Sequence, residues 1–530
     1  MTQPGQFSRG ARSFLARLQN LRSKNAPDAP ALGLRDPWPG DPGRGARLVK
    51  AELEFSGAVL PMPAGVFQPS NATAMLRAHL HGFTWLRDLR ALGTDAARTR
   101  ARTLVSEFMD TEILEPIGLT PDVTGARLAA WLGHYDFFAA SADDDFRQRL
   151  MSRLVMDARS LSAILPAEVR DGRALTALKG LAAASVAMPE HVGHLPRVLK
   201  FLLPEIDRQF FPDGCQIERS PAAHLAALQD LTEIRALMQA HGAEPPSELV
   251  TAIEKAAAAL RALRHGDGGL TLFNGTKEDL ATLIDLVLAQ AGRARGAIAP
   301  LRSSGLFRMS AAKALVFMDA GLPAPPGLDR FAHAGTLGLE FSWGKERLIT
   351  NCGAAPASAG DWGTALRSTA AHSTLSIADV SSSEVREQGL GRRPTEVHAE
   401  RQDIAGGQWI EANHDGWGRL FGAIHHRRIG LSDNGEELLG EDLIEAEQPQ
   451  PFTIRFHLHP NVTASLQQDD GAVLLRLASG MGFRLRAEGA PISVEESIYF
   501  GQAEPRRAEQ VVLSGHQDGP QHVKWSIIKV

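Results

Sequence analysis

Residues 225–237 read LAALQDLTEIRAL and residues 452–457 read FTIRFH, and the contrast between these two stretches decides the fold class. In the first stretch leucine or isoleucine recurs every three residues, which predicts an amphipathic helix with one apolar stripe. In the second, apolar and polar residues alternate, which predicts a strand with one buried face. The helical pattern extends over about residues 71–291 and the alternating pattern from about residue 303 onward. The sequence therefore predicts a helical half followed by an all-β half.

The breaks within each half indicate how its elements pack. Short stretches with helix stops, such as Pro116-Ile-Gly118 and Pro245-Pro246, separate the helical patterns, which favours antiparallel helix pairs closed into a bundle, solenoid or ring. The strand patterns follow one another without helices between them, which indicates stacked antiparallel sheets. We predict a flexible, Pro- and Gly-rich lead-in over residues 1–45, a helical domain over 46–300 and a β-sandwich domain over 301–530.

Composition excludes several classes of protein. Hydrophobic residues make up 44% of the 530 residues and charged residues 22%, which is ordinary for globular domains and excludes a disordered chain. The formal net charge is -5, so a nucleic-acid-binding protein, which is normally basic, is not expected. Cys215 and Cys352 are too few for a disulfide framework and too far apart for a CxxC metal motif.

Neither a membrane span nor an export signal is expected. No stretch reaches about 18 uncharged apolar residues, the length that a spanning helix needs. The N-terminal segment carries several arginines but lacks the apolar run of about seven residues or more that a secretory signal requires. These observations predict a cytoplasmic protein.

Several strings are similar, in order, to those of a known family. In the β half they are 366–375 (LRSTAAHSTL), 414–417 (HDGW), 425–428 (HHRR), 440–442 (GED) and 455–460 (RFHLHP), and in the helical half 81–89 (HGFTWLRDL), 211–214 (FPDG) and 218–221 (ERSP). Together they resemble the heparinase II/III-like family from about Met62 to the C-terminus. The resemblance implies an (α/α) toroid, an incomplete helical barrel, followed by an antiparallel β-sandwich. It also implies a polysaccharide lyase that cleaves a uronic-acid-containing glycan by β-elimination in the cleft between these two domains.

The residues that such a lyase needs are only partly present. Elimination requires neutralisation of the uronate carboxylate, a base for the adjacent proton and an acid for the leaving oxygen. The resemblance assigns these roles to an Asn/His pair and a Tyr in the toroid and to a His in the sandwich. The stretch of the polar pair reads Ala177-Leu-Lys-Gly-Leu-Ala-Ala-Ala184, and the position of the Tyr reads Ala222-Ala223. Where the family often has Asp, this chain has Gly335.

Two interpretations stay open. In the first, the chain is a lyase in which His224, Tyr135 or an arginine near the cleft has taken over proton transfer, and His372 is the further catalytic candidate from the sandwich. In the second, the protein binds saccharide on the same scaffold without cleaving it. Hydrolysis by Asp213 and Glu218 is a third possibility, although capping or loop roles also explain these two residues.

The candidates for substrate binding are two arginines, one carboxylate and two tryptophans. The guanidinium groups of Arg219 and Arg367 match a uronate carboxylate, and Glu218 stands beside Arg219. Trp131 is a candidate for stacking on a sugar ring, and Trp417 stands where the family string HDGY has Tyr. Each of these residues also has a structural interpretation, as a helix cap, a surface arginine or a core aromatic.

The resemblance also implies a metal. His372 and His425 match positions at which zinc-containing members have ligands, with a carboxylate as the third; imidazole and carboxylate suit tetrahedral zinc. Asp379 and Glu384 are both candidates for the third ligand, and a hydrogen-bonded core histidine is the alternative for His372. The partner implied is an anionic polysaccharide or oligosaccharide. Family members that digest glycans work in the periplasm or cell envelope, which conflicts with the cytoplasmic prediction. The sequence does not indicate the oligomeric state.

Overall fold

The computed structural model describes residues 26–112, 114, 116–166, 171–193, 195–278, 281–292, 298, 300–355, 359–467, 471–502 and 504–530. Its first part is helical apart from one small hairpin, β1 (Glu52–Phe55) with β2 (Ala58–Pro61). The helices are α1 Pro42–Val49, α2 Ala74–Gly82, α3 Leu86–Leu92, α4 Asp95–Asp110, α5 Pro121–Gly133, α6 Tyr135–Phe138, α7 Asp144–Ile164, α8 Arg173–Ala187, α9 Pro189–Val192, α10 Leu195–Gln209, α11 Pro221–Ala240, α12 Ser247–Ala262 and α13 Ala281–Ala291, with a 3-10 turn at Pro116–Leu119.

Helices α5 and α8 pack unusually closely because both carry glycine at the contact. A Cβ atom added to Gly180 would lie 2.2 Å from the carbonyl oxygen of Gly125, so neither position has room for a side chain. Around this contact α8 is almost entirely buried, in agreement with its run of alanines. Small residues let the two backbones approach, and the helices bury one another without large side chains between them.

The segment before α1 differs from the expected flexible lead-in. Leu34 and Trp38 are buried, and the indole nitrogen of Trp38 donates a hydrogen bond to Glu233. The backbone nitrogen of Asp36 donates to Gly133 at 3.0 Å. The described part of the segment, residues 26–41, is therefore ordered on the helices. The prediction was wrong there because a Pro- and Gly-rich sequence does not reveal the partners that hold an extended chain.

The second part consists of antiparallel strands. They are β3 Leu306–Ala311, β4 Ala314–Asp319, β5 Leu339–Trp343, β6 Glu346–Thr350, β7 Leu375–Ile377, β8 Val397–Ile404, β9 Gly407–Trp417, β10 Ala423–Ser432, β11 Glu437–Glu445, β12 Gln450–Leu458, β13 Thr463–Gln467, β14 Ala472–Arg476, β15 Gly482–Glu488, β16 Ile492–Tyr499, β17 Arg506–Gln517 and β18 Gln521–Lys529. Short helical turns interrupt them: α14 Trp362–Ala365, a 3-10 turn at Thr369–Ala371, and α15 Gly418–Phe421.

The strands form two sheets that bury a common core. One has the order β13-β14-β15-β18-β11-β10-β9-β8, and the other β16-β17-β12-β6-β5-β4-β3 with β7 paired to β12. Aromatic rings of the two sheets meet in this core: Phe456 lies 4.9 Å from Trp525, and Phe341 lies 5.7 Å from Phe483, between ring centroids. Alternate residues of several strands enter the core, as the period of two in the sequence predicts; in β12 they are Phe452, Ile454, Phe456 and Leu458.

The chain separates into two compact units. The first contains the described residues up to Gln209 together with Gln229–Ile253, and the second contains Phe210–Leu228 and Glu254–Val530. The change from helix to strand falls between Ala291 and Leu306, yet the second unit also includes the beginning of α11 and the end of α12. Among the helices of the described residues, none is long and apolar enough to cross a membrane.

Candidate functional site

His224 lies in the first turns of α11 and is completely buried in the second unit. Its Nδ1 accepts a hydrogen bond from the backbone nitrogen of Gln216 at 3.1 Å, and its Nε2 donates to the carbonyl oxygen of Ala256 at 2.8 Å. Burial lowers the pKa of His224 to about 4, so the ring is neutral at neutral pH. Both nitrogens are thus occupied in joining the 210–216 turn to α12.

Arg219 is held by the protein itself. Its backbone lies in the left-handed region, with φ of 55°, and the guanidinium group is buried. That group donates to the carbonyl oxygens of Ser304 at 2.6 Å and Leu322 at 2.9 Å, and it forms an ion pair with Asp319. The neighbouring Glu218 is also buried and accepts a hydrogen bond from the side chain of Gln216 at 3.1 Å.

A buried chain of hydrogen bonds connects Arg219 to His372. Asp319 accepts from the side-chain nitrogen of Asn274 at 3.1 Å, and the side-chain oxygen of Asn274 accepts from the backbone nitrogen of His333 at 3.1 Å. His333 Nδ1 lies 3.1 Å from His372 Nε2. The structure therefore brings two sequence-predicted residues into one network through Asp319, Asn274 and His333, none of which the sequence singled out as a site residue.

The hydrogen bond between His372 and Ser368, at one end of this network, determines where the protons of the two histidines lie. His372 Nδ1 lies 2.8 Å from the carbonyl oxygen of Ser368 and must carry the proton, because a carbonyl oxygen only accepts. His372 Nε2 is then the acceptor for His333 Nδ1–H. Burial lowers the pKa of His372 to about 4, and burial together with the neighbouring His372 lowers that of His333 well below its usual range. Both rings are neutral at neutral pH.

Gly335 makes room for this histidine pair. A Cβ atom at position 335 would lie 2.5 Å from His372 Cδ2. The His372 ring therefore packs against Gly335, the position at which the family often has Asp.

The string 425–428 contributes one histidine and one arginine to the core between the sheets. His425 and Arg427 point inward, and His426 and Arg428 point outward. Asp442 accepts from His425 Nε2 at 2.6 Å, from Arg427 Nε at 2.7 Å and from Trp525 Nε1 at 2.9 Å. Arg427 and these hydrogen bonds lower the pKa of Asp442 below its usual range in spite of burial.

The two proposed zinc ligands, His372 and His425, each have other hydrogen-bond partners. His372 uses its two nitrogens on Ser368 and His333, whereas His425 uses Nε2 on Asp442 and lies beside His414, with 5.5 Å between the ring centroids. In the described part of the chain, no group of three or more His, Cys, Asp or Glu side chains is arranged to hold an ion. The predicted pair therefore does not fit a shared zinc ion, and no step of a reaction is derived from one.

Four other candidates are also involved in internal contacts. Trp131 is buried among Phe83 and Phe108, and Tyr135 is largely buried, which raises its pKa. The indole nitrogen of Trp417 donates to the carbonyl oxygen of Val380 at 2.9 Å. Arg367 donates to three carbonyl oxygens, those of Ala332, Arg386 and Gly389. Catalytic or substrate-binding roles for all these residues stay predictions.

Lys179 lies in the stretch where the family's polar pair is expected, and sequence reasoning missed its role. Its ammonium group is 2.7 Å from Asp230 and 3.2 Å from Glu233, and these two carboxylates raise its pKa above the usual range. Thr176 donates a further hydrogen bond to Asp230 at 2.6 Å. A lysine within an alanine-rich helix was the available signal, because a buried ammonium group needs a carboxylate partner.

Comparison with known proteins supports the resemblance. The family model described as Heparinase II/III N-terminus matches residues 125–290, and the one described as Heparinase II/III-like, C-terminal, matches residues 293–526. FtsZ-localized protein C of Caulobacter vibrioides (strain NA1000 / CB15N) is 31% identical over 520 residues, which is 93% of this chain and 89% of that protein.

Solved structures show the same fold. A crystal structure of heparinase III is similar with a TM-score of 0.75 at 13% identity, over 99% of this chain and 90% of that one. The heparan sulfate lyase HepC from Pedobacter heparinus is similar with a TM-score of 0.61 at 13% identity, over 98% of this chain and 88% of that one. The predicted order, a toroid followed by an antiparallel sandwich, is confirmed, and the chain belongs to the heparinase II/III-like family.

Proposed function

We propose that this chain is a heparinase II/III-like protein without lyase activity that acts together with FtsZ. The observation that carries the first half of the proposal is the engagement of Arg219, His224 and His372 in buried internal hydrogen bonds. These are the groups that a substrate would have to recruit for carboxylate neutralisation and proton transfer.

Releasing these groups is costly. A buried donor or acceptor left without a partner costs about 1 to 3 kcal/mol, and breaking a buried ion pair costs about 3 to 5 kcal/mol. If Arg219 turned toward a uronate, the carboxylate of Asp319 would lose the guanidinium group that compensates its charge. If His224 acted as a base, it would abandon the backbone nitrogen of Gln216. The existing partners therefore compete with any substrate.

The helical unit supports the same interpretation. At the stretch where the family has its polar pair, the one charged side chain is Lys179, and both Asp230 and Glu233 neutralise it. This network stabilises the packing of helices, and its lysine is already paired.

The second half of the proposal comes from the relatives. The curated match with 31% identity over most of both chains is named for its localisation with FtsZ, whereas the heparinase III structure shares 13% identity. The 31% identity over 520 residues favours a role shared with FtsZ-localized protein C. We therefore expect this chain to associate with FtsZ polymers.

Lyase activity on an anionic glycan is the second candidate function. It is favoured by family membership and by the presence of His372 within the 366–375 string. One assay distinguishes the two candidates, because any uronate elimination releases unsaturated products that absorb in the ultraviolet.

The test uses the purified full chain. We expect no increase in ultraviolet absorbance on heparan sulfate, chondroitin, alginate or hyaluronan, and we expect sedimentation with GTP-assembled FtsZ polymers but not with unassembled FtsZ. If the chain releases unsaturated products from any of these glycans, and the variant His372→Ala does not, the proposal that the chain lacks lyase activity is overturned. Absence of the chain from the polymer pellet would overturn the second half of the proposal.

A further inference from the structure

A groove of about 550 Å³ crosses the outer face of the sandwich sheet that contains β8, β9, β10, β11 and β18. Adjacent strands are about 4.8 Å apart, so the five strands give the groove a length of about 19 Å. Its size is in the range of about 300 to 1,000 Å³ that ligand-binding sites occupy. All its lining residues belong to the second unit.

Strand register places the lining side chains in two neighbouring rows. Residues that pair across antiparallel strands project from the same face of a sheet. The first row consists of His398, Asn413, His426, Leu443 and His522, and the second of Glu400, Glu411, Arg428 and Glu441. Lys524 continues the second row at the edge of the groove. His426 and Arg428, the outward-pointing residues of the 425–428 string, are therefore part of the floor of the groove.

These side chains have the hydrogen-bonding properties that hydroxyl groups require. A hydroxyl both donates and accepts, and so do a neutral imidazole and an amide. The first row offers three imidazoles and the amide of Asn413, and the second row offers carboxylate acceptors beside one guanidinium donor. A polyhydroxylated ring therefore finds complementary groups at each strand that it crosses.

The charges of the groove disfavour an anionic ligand. Glu400, Glu411 and Glu441 outnumber the exposed cations, which are Arg428 and, at the edge, Lys524. Arg428 already forms an ion pair with Glu411 at 2.7 Å. Arg427 also borders the groove, but its guanidinium group is held by Asp442 on the inner side of the sheet. A uronate or sulfate group would face three carboxylates, whereas a neutral sugar would not be repelled.

Several polar groups of the groove are held in place before any ligand arrives. Arg428 lies between Glu411 and the ring of Trp409, 4.4 Å from the ring centroid. His522 Nδ1 lies 2.8 Å from Glu441, and His426 Nε2 lies 3.2 Å from Glu445. Preorganised side chains lose less conformational entropy when a ligand binds.

A protein partner fits the groove less well. The centre of a protein interface is normally apolar or aromatic, and the apolar lining here is restricted to Ala399, Ala412 and Leu443. We propose that this groove binds a neutral, hydroxyl-rich oligosaccharide that extends across the strands. The site is distinct from the network of Arg219, His224 and His372, and it does not depend on an association with FtsZ.

The experiment is isothermal titration calorimetry of the full chain with cellohexaose, maltohexaose and chitohexaose, and with a heparin-derived hexasaccharide as the anionic probe. We expect at least one neutral hexasaccharide to bind with a Kd below about 1 mM, and more tightly than the heparin fragment. The variants Asn413→Ala and His426→Ala should each weaken that binding about tenfold, because each removes hydrogen bonds to the sugar.

His516→Ala is the matched control, because His516 is an exposed strand histidine on β17 of the other sheet. It should bind as the parent chain does, and melting curves should show that all three variants are folded. The proposal is overturned if no neutral hexasaccharide binds, if the heparin fragment binds more tightly, or if folded Asn413→Ala and His426→Ala bind like the control.

Discussion

His333 Nδ1 lies 3.1 Å from His372 Nε2, and this contact joins two buried, neutral imidazoles whose proton positions are set by the carbonyl oxygen of Ser368. The contact depends on the space that Gly335 leaves free beside the His372 ring. His372 thus serves as a link in a buried network that also includes Asn274 and Asp319.

The first prediction concerns this space. Gly335→Ala places a methyl group within 2.5 Å of the His372 ring, so the ring must shift and its hydrogen bonds must lengthen. We expect a loss of about 1 to 3 kcal/mol in the free energy of unfolding, measured by urea denaturation. Gly363→Ala is the control, because a Cβ atom there meets nothing within 4 Å. Equal stability of the two variants would contradict the packing described for His372.

The second prediction concerns how the free energy of unfolding depends on pH through His224. The pKa of His224 is about 4 in the folded protein, below the usual value of 6.5, so the unfolded chain binds a proton more readily. Stability from this group is complete above about pH 6.5 and is lost as the pH falls toward 4. Between pH 7 and pH 5 the loss for one such histidine is about 2 kcal/mol.

The variant His224→Gln tests this linkage. Glutamine has no proton to gain in this range, so the free energy of unfolding should fall about 2 kcal/mol less between pH 7 and pH 5 than it does in the parent chain. His516→Gln, at an exposed position, should behave like the parent. An unchanged pH dependence in His224→Gln would mean that His224 is protonated or exposed in the folded protein.

The third prediction concerns the carboxylate between the sheets. Asp442→Asn removes the negative charge that compensates Arg427, and it replaces one of the two oxygens that accept from His425 and Trp525 by an amide nitrogen, which cannot accept. We expect a loss of about 3 to 5 kcal/mol, since the guanidinium group stays buried without a counter-charge. Asp433→Asn, in an exposed turn, should change stability by less than about 0.5 kcal/mol. Similar urea midpoints for the two variants would count against the network.

The fourth prediction concerns the helical unit. Lys179→Met leaves the carboxylates of Asp230 and Glu233 without their cation, and we expect it to destabilise the protein by about 3 to 5 kcal/mol. Replacing Lys179, Asp230 and Glu233 together by apolar residues should recover part of the lost stability. An intact buried ion cluster contributes little net stability, and the large cost arises only when one partner is removed and the other charges stay buried and unpaired. The exposed Lys200→Met is the control. If the triple variant is less stable than Lys179→Met, the charge argument is wrong.

Much of the architecture was predictable because it depends on local periodicity. The spacing of leucines over 225–237 and the alternation over 452–457 distinguish helix from strand without any knowledge of partners. The ordered segment around Trp38 was missed, because its indole donor meets Glu233 nearly two hundred residues later.

The candidate site was predictable only in part. The strings identified Arg219, His372 and His425 as notable residues, and His224 follows the position where the family has its Tyr, but the sequence does not show what these residues contact. Asp319, which pairs with Arg219, is 100 residues away in sequence, and Asn274 and His333 stand in no string that marked them. Side-chain hydrogen bonds between distant residues leave no periodic trace, so pattern analysis cannot find them.

The sequence by itself determined the order of helices and strands, the membership of the family and the loss of the family's Tyr and polar pair. Only the tertiary structure decided the role of each remaining polar residue. In the string 425–428, alternation alone implies that His425 and Arg427 share one face and His426 and Arg428 the other. Which face enters the core depends on the packing of the second sheet, because burial is a property of the assembled layers and not of a single strand.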